Sequence, residues 1–310
     1  PVIDLEKSHG SWLVDKVTDK KYLDLFSMFA SLSVGYNHPY VLEQSERLKI
    51  AAINKPTNSD VYSQEMAEFV QTFKRVAQPD YLPLTFFIEG GGLAVENALK
   101  AAFDWKRRKN LAKGSSAKGE KVIHFKQCFH GRTGYTMSLT DSPDKRKTMY
   151  FPKFDWPRIT NPKITFPLAD NIDHVIELEN QAINEIKDAI SDNPDNIASI
   201  IIEPIQGEGG DNHFRCEFMQ SLRQIADEND IILIYDEVQT GVGVTGKMWA
   251  HQHFSNDDCS ASQCKCGDGL LAVPDIISFG KKTQVCGIFA GNRINEVENK
   301  GGAIAAIESG

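Results

Sequence analysis

An α/β fold with a largely parallel central sheet is what this chain predicts, from short β-branched runs, segments of helical spacing between them, and polar groups where each run ends. The runs are Lys121-Val-Ile-His-Phe125, Ala198-Ser-Ile-Ile-Ile-Glu203, Ile231-Ile-Leu-Ile-Tyr-Asp236 and Asp275-Ile-Ile-Ser-Phe279. They are apolar on both faces, as strands covered by helices on either side must be. Residues 93–109, 174–192 and 216–229 have helical spacing, and each is long enough to cross back over a sheet.

Two stretches depart from this rhythm. Gly10-Ser-Trp-Leu-Val-Asp15 and Lys21-Tyr-Leu-Asp-Leu-Phe26 read as a small hairpin or meander, so residues 1–40 are expected to form an appendage contributing to a small domain, with 41–310 as the large domain. Residues 255–273 are polar, small and Gly-containing, and read as an inserted surface loop.

Composition narrows the class of function. With 310 residues, 41% hydrophobic and 25% charged, the chain is ordinary globular material, which excludes a disordered or fibrous protein. The formal charge of -8 is spread without an acidic tail or basic stripe, so neither nucleic acid nor an anionic membrane is an expected partner. No run approaches the roughly 18 apolar residues of a membrane span, and Pro1-Val2-Ile3-Asp4 does not open a signal sequence. A soluble, cytoplasmic protein is the expectation. The six cysteines suit a reducing compartment. Cys259, Cys264 and Cys266 lie near His251 and His253 but lack the usual spacing of a structural zinc site, so no metal is expected.

In open α/β sheets ligands bind beyond the carboxyl ends of the strands. Phe129-His-Gly-Arg-Thr133 follows the first run and offers an aromatic face, an imidazole and a guanidinium; its plainer reading is a Gly-shaped turn with a solvated arginine. Glu203-Pro-Ile-Gln-Gly-Glu208 follows the second, with two carboxylates on a turn that its glycine and proline could equally shape for its own sake. The third ends at Asp236 before Glu237-Val238-Gln239: a buried acid there needs a cation such as a protonated pyridine nitrogen, although Asp236 could instead cap a turn. Phe279-Gly-Lys-Lys-Thr283 follows the fourth. A buried Lys281, or one beside the cation Lys282, could present a neutral amine to an aldehyde, whereas twin lysines are commonly a solvated surface. Gly90-Gly-Gly92 opens the helix near Leu93, where bare N–H groups favour a phosphate, or where the glycines simply turn the chain. A phosphate cradle, an aromatic face, an acid and an imine-forming lysine are together the four groups that a pyridoxal 5'-phosphate enzyme supplies.

At these residues the sequence resembles the class III (ω-amino acid) aminotransferases and, within them, the lysine 6-aminotransferase branch. The resemblance is carried by Gly91-Gly-Leu-Ala-Val-Glu-Asn-Ala98, Phe129-His-Gly-Arg-Thr133, Ile202-Glu-Pro-Ile-Gln-Gly-Glu-Gly-Gly210, Tyr235-Asp-Glu-Val-Gln-Thr-Gly241 and Phe279-Gly-Lys-Lys-Thr-Gln-Val-Cys-Gly287. It implies the pyridoxal-phosphate transferase fold of type I, with a C-terminal small domain that we expect this chain to lack, because residues 301–310 do not continue the pattern.

The resemblance also implies roles. Lys281 becomes the Schiff-base lysine and proton shuttle, with Lys282 as its neighbour. Gly91 and Gly92 become phosphate contacts, Phe129 the stacked ring, Asp236 the pyridinium partner, Val238 the packing on the other ring face and Gln239 the neighbour of the phenolic oxygen. His130 and Glu203 join this cofactor-binding set. Arg132 is implied to receive the substrate α-carboxylate, and Glu208 to pair with a C-terminal arginine that receives 2-oxoglutarate. The implied reaction moves the ε-amino group of L-lysine to 2-oxoglutarate in a homodimer. A sister activity on ornithine or 4-aminobutyrate, and a truncated non-catalytic remnant, are the alternative expectations.

Overall fold

The computed structural model describes residues 1–56, 61–254 and 272–297. It divides into two compact units, Pro1–Gln78 and Pro79–Gly310. Cys259, Cys264, Cys266 and most of the expected insertion, through residue 271, lie outside the described residues, as does the chain after residue 297.

In the first unit, β1 (Trp12–Val14) and β2 (Lys21–Leu23) form the expected hairpin, antiparallel with Leu13 opposite Tyr22. Two strands of three residues cannot bury a core alone. Helices Pro39–Glu43, Ser45–Ile53 and Gln64–Val76 belong to the same unit, so the division falls at Gln78, well past residue 40. The Ser63 side chain accepts from the Met66 N–H and caps the last of these helices.

The second unit is built on β3 (Leu84–Ile88), β4 (Lys121–Phe125), β5 (Arg158–Ile159), β6 (Ile197–Ile202), the small hairpin β7 (Ile205–Gln206) and β8 (Asn212–His213), β9 (Ile232–Asp236), β10 (Ile276–Phe279) and β11 (Cys286–Ala290). The seven-stranded sheet has the order β3-β11-β10-β9-β6-β4-β5. From β10 to β5 every pairing is parallel. β11 runs antiparallel to both its neighbours. All four strands read from the sequence are present, and β6, β9 and β10 are buried at every position, as two-sided coverage requires.

Helix Gly91–Ala112 packs across β6, β9, β10 and β11. Its buried stripe of Ala94, Val95, Ala98, Leu99, Ala101, Ala102 and Trp105 recurs at helical spacing, and its alanines let the helix lie close to the sheet. Leu99 is fully buried, which contributes roughly 1.5–3 kcal/mol. Trp105 is fully buried as well and donates its indole N–H to Arg293 O at 3.0 Å, satisfying its one polar atom. Helices Leu168–Asp192 and Cys216–Glu228 complete the layers. The first of them starts earlier than the expected residue 174, at Leu168, with Asp170 in its first turn, where an acid suits the helix dipole. No helix among the described residues is long and apolar enough to cross a membrane.

Candidate active site

The loops following β4, β6, β9 and β10 leave from the carboxyl ends of parallel strands, where the sheet offers polar ends and open space. The last of them is a short hairpin connection to β11, not a helical crossover, and it carries Lys281. A connection this short permits only an antiparallel return. Lys281 itself has φ +52°, a left-handed conformation that costs a side-chain-bearing residue about 1–2 kcal/mol and marks a position held by its surroundings.

Lys281 Nζ donates to Gln239 Oε1 at 2.8 Å, and Lys282 Nζ donates to Gln239 O at 2.5 Å. One residue therefore receives both amines. Burial lowers the Lys281 pKa, against the opposing pull of the Asp236 and Glu203 carboxylates. Burial and the Lys281 charge bring Lys282 down to about 8. Of the two causes expected for Lys281, burial or the neighbouring Lys282, burial is the one that acts.

Asp236, at the end of β9, is 4% exposed and hydrogen-bonded at both carboxylate oxygens. Its Oδ2 lies 2.8 Å from His130 Nδ1, its Oδ1 accepts from Ser278 Oγ at 2.9 Å, and the same oxygen accepts from the Val238 N–H at 3.1 Å. For His130, burial opposes the charge, but Cys128 and Asp236 outweigh it and raise the pKa well above the usual imidazole value. His130 Nε2 is buried with no hydrogen-bond partner among the described atoms. The His130 N–H donates to Thr140 Oγ1 at 3.0 Å, which sets the ring's backbone.

Glycines pack these loops together. A Cβ at Gly91 would lie 2.9 Å from Val238 Cγ1, one at Gly131 would lie 2.9 Å from Gly92 Cα, and one at Gly207 would lie 2.4 Å from Gln239 Nε2. The helix opening at Gly91 is preceded by Gly90 at φ +102° and has no side-chain cap, leaving its first N–H groups for an anion. Val238 thus sits between the helix opening and the lysine loop, since a Cβ at Gly280 would lie 3.5 Å from its Cγ1.

Glu203 accepts from the Phe129 N–H at 2.8 Å, tying the end of β6 to the aromatic loop. Burial pushes its carboxyl from 4.5 to about 8, with His130 lowering it and Asp236 raising it. A raised carboxyl holds its proton more tightly folded than unfolded. Its contribution to stability is therefore full below 4.5 and lost as the pH rises to about 8. Glu203→Gln keeps an oxygen for Phe129 and has no proton to lose. Its melting temperature relative to wild type is expected to climb steadily from about pH 5 to about pH 8, in thermal unfolding followed across that range; a constant difference would contradict the buried, protonated carboxyl.

Glu208 Oε1 accepts from Ser142 Oγ at 2.7 Å and pairs with Lys147 Nζ at 2.5 Å. The same ammonium stands 5.7 Å from the Phe129 ring centroid. Arg132 is exposed, stands between Gly131 and Thr133, which pack against Gly92, and lines a cavity of about 740 Å³ with Glu96, Lys100 and Phe154. Three contributors were not read from the sequence. Ser278 lies inside a strand, Thr140 ten residues past His130 and Lys147 in a polar turn, and no local pattern connects them to their partners.

The family model for aminotransferase class III matches residues 1–298. The L-lysine-epsilon aminotransferase of Mycobacterium tuberculosis is 49% identical over 96% of this chain and 63% of that protein. The 4-aminobutyrate aminotransferase of Emericella nidulans is 33% identical over 93% of this chain and 59% of that protein. A solved lysine aminotransferase from M. tuberculosis, in its internal aldimine form, superposes with a TM-score of 0.87 at 46% identity, covering 99% of this chain and 70% of that one. The chain spans less than two thirds of the length of these two curated relatives.

Proposed function

The chain belongs to the class III aminotransferases, and from that premise we propose that it is the large cofactor-binding part of an enzyme that moves the ε-amino group of L-lysine to 2-oxoglutarate, yielding 2-aminoadipate 6-semialdehyde and L-glutamate. Aminotransferases of this class use pyridoxal phosphate. The observation that carries the proposal is the pairing of a buried acid, Asp236, with a half-buried amine, Lys281, whose pKa is lowered, at the glycine-packed edge of the sheet.

The residues present fit that group. The uncapped opening of helix Gly91–Ala112 suits a phosphate, with Gly91 and Gly92 letting it approach the backbone. Phe129 and Val238 offer apolar surfaces for the two faces of a flat ring, and Asp236, held by His130 and Ser278, offers a fixed negative charge for a ring nitrogen. When bound, pyridoxal phosphate supplies the electron sink for the charge that develops at the substrate carbon.

The chain's own groups do the rest. Burial lowers the Lys281 pKa and so favours the uncharged amine more than in an exposed lysine, and Nζ can accept and return a proton. Gln239 fixes the direction of that nitrogen. Arg132, exposed at the rim, is the group for the distant α-carboxylate of the donor, which orients the ε-amine by its far end. Glu208 stands ready to pair with a cation at the acceptor end, a place that Lys147 takes here. A homodimer is part of the same proposal.

Donor choice rests on the likeness to the lysine enzymes, which exceeds that to the 4-aminobutyrate enzyme. The test is a donor panel of lysine, ornithine and 4-aminobutyrate with 2-oxoglutarate, scored as glutamate formed by the purified chain. Lysine is expected to lead. Either rival leading would replace the donor, and no transfer with any of them would leave a cofactor-binding protein without turnover.

A further inference from the structure

Glu237 lies between Asp236 and the Val238-Gln239 pair, yet its side chain takes no part in the site described above. It is fully buried, as is the side chain of His251. Its Oε1 accepts from the His251 N–H at 2.8 Å and lies 2.8 Å from His251 Nδ1. Its Oε2 accepts from the Ala250 N–H at 3.1 Å and from the Thr240 hydroxyl. With Nδ1 donating to Glu237, His251 Nε2 accepts from the Tyr81 hydroxyl, 2.7 Å away. Four donors on one buried carboxylate satisfy it where a lone charge would be costly. Removing one of them leaves a buried oxygen without its partner.

The geometry of the main chain gives this network a target. The Glu237 N–H donates to Ser278 O at 2.9 Å, next to the lysine loop, and the Gly241 N–H donates to Glu237 O at 2.9 Å. Residues 237–241 therefore form a closed turn, fastened to β10 through its backbone and to the 3-10 turn Ala250–His253 through the Glu237 carboxylate. Gln239 sits inside that turn, between Glu237 and Thr240, the two residues joined by their side chains. Its side-chain oxygen takes Lys281 and its carbonyl takes Lys282. Any rotation of the turn moves both acceptors at once.

We propose that Glu237 is a positioning residue for Lys281: by clamping Thr240 and the Ala250–His253 turn it fixes Gln239, whose two oxygens aim the Lys281 amine and hold the Lys282 amine apart from it. His251 and Tyr81 complete the clamp. The inference deepens the proposed function and rests on Lys281 being the cofactor-bearing lysine.

The test uses the pyridoxal-phosphate-loaded full chain as wild type, Glu237→Gln, Thr240→Val, Thr240→Ser and Lys281→Ala, with the Lys281-dependent visible absorbance titrated against pH. Glu237→Gln puts an amide against the donors of Ala250 or His251, and Thr240→Val removes one donor at nearly constant shape. Both are expected to retain the cofactor while the titration midpoint moves by about half a pH unit or more, because a shifted Gln239 changes the hydrogen bonding of the lysine nitrogen. Thr240→Ser is expected to restore the wild-type midpoint. Should Glu237→Gln fail to fold, Thr240→Val and Thr240→Ser decide the matter alone. Wild-type midpoints in the variants, with only the melting temperature lowered, would overturn the proposal and leave a purely structural clamp. Absorbance unaffected by Lys281→Ala would overturn the reading of Lys281, and this inference with it.

Discussion

Lys281→Ala is expected to abolish the visible absorbance of bound pyridoxal phosphate that depends on a covalent link to the chain, and to lower amino transfer by roughly 10²–10⁴-fold from the lost proton transfer alone. The effect is large because two functions rest on one nitrogen. Its lowered pKa favours the uncharged form that bond formation needs, and its hydrogen bond to Gln239 directs it. Lys282 is no ready substitute. Its amine is drawn to the Gln239 carbonyl, and its backbone lies one residue further around the turn. Absorbance spectra and glutamate formation by the variant check the expectation, and unchanged values in both would refute the assignment.

Asp236→Asn should be nearly as severe, lowering transfer by about 10²–10³-fold, the range seen when a preorganised electrostatic contact is lost. The substitution preserves shape and an oxygen for Ser278, so the fold should survive. What it removes is the fixed negative charge. Without that charge His130 loses one of the influences that raise its pKa, and a ring nitrogen nearby loses its reason to stay protonated. The check is transfer rate together with cofactor retention after gel filtration: a drop in rate with the cofactor still bound is the expected pattern, and a wild-type rate would show that another group carries the charge.

Much of this architecture could be read from the sequence because the central strands are continuous apolar runs. Ile197–Ile202 and Ile232–Asp236 admit little else, and the groups following them fall at the ligand edge by topology alone. The edge of the sheet was less legible. β3 is only partly buried and β11 carries Gly287 as its second residue, where a Cβ would lie 2.3 Å from Phe86 O, so close packing against β3 rather than apolar periodicity defines that strand. The motifs singled out Lys281, Asp236 and Gln239, and the fold brings them to one edge of the sheet. They could not name the atoms holding them. Ser278 reaches Asp236 across 42 positions and Tyr81 reaches His251 across 170, contacts that only the folded sheet creates. Nor could charge patterning tell the two lysines apart: burial acts on both, and their different oxygens on Gln239 separate them.

Lys281, and not its neighbour, is the lysine proposed to carry the cofactor. Borohydride reduction of the pyridoxal-phosphate-loaded chain, followed by proteolysis and fragment mass spectrometry of the peptide spanning Phe279–Thr283, tests that assignment most directly. The structure predicts the added pyridoxyl mass on Lys281 with Lys282 unmodified. The mass on Lys282, or spread evenly over both, would contradict it.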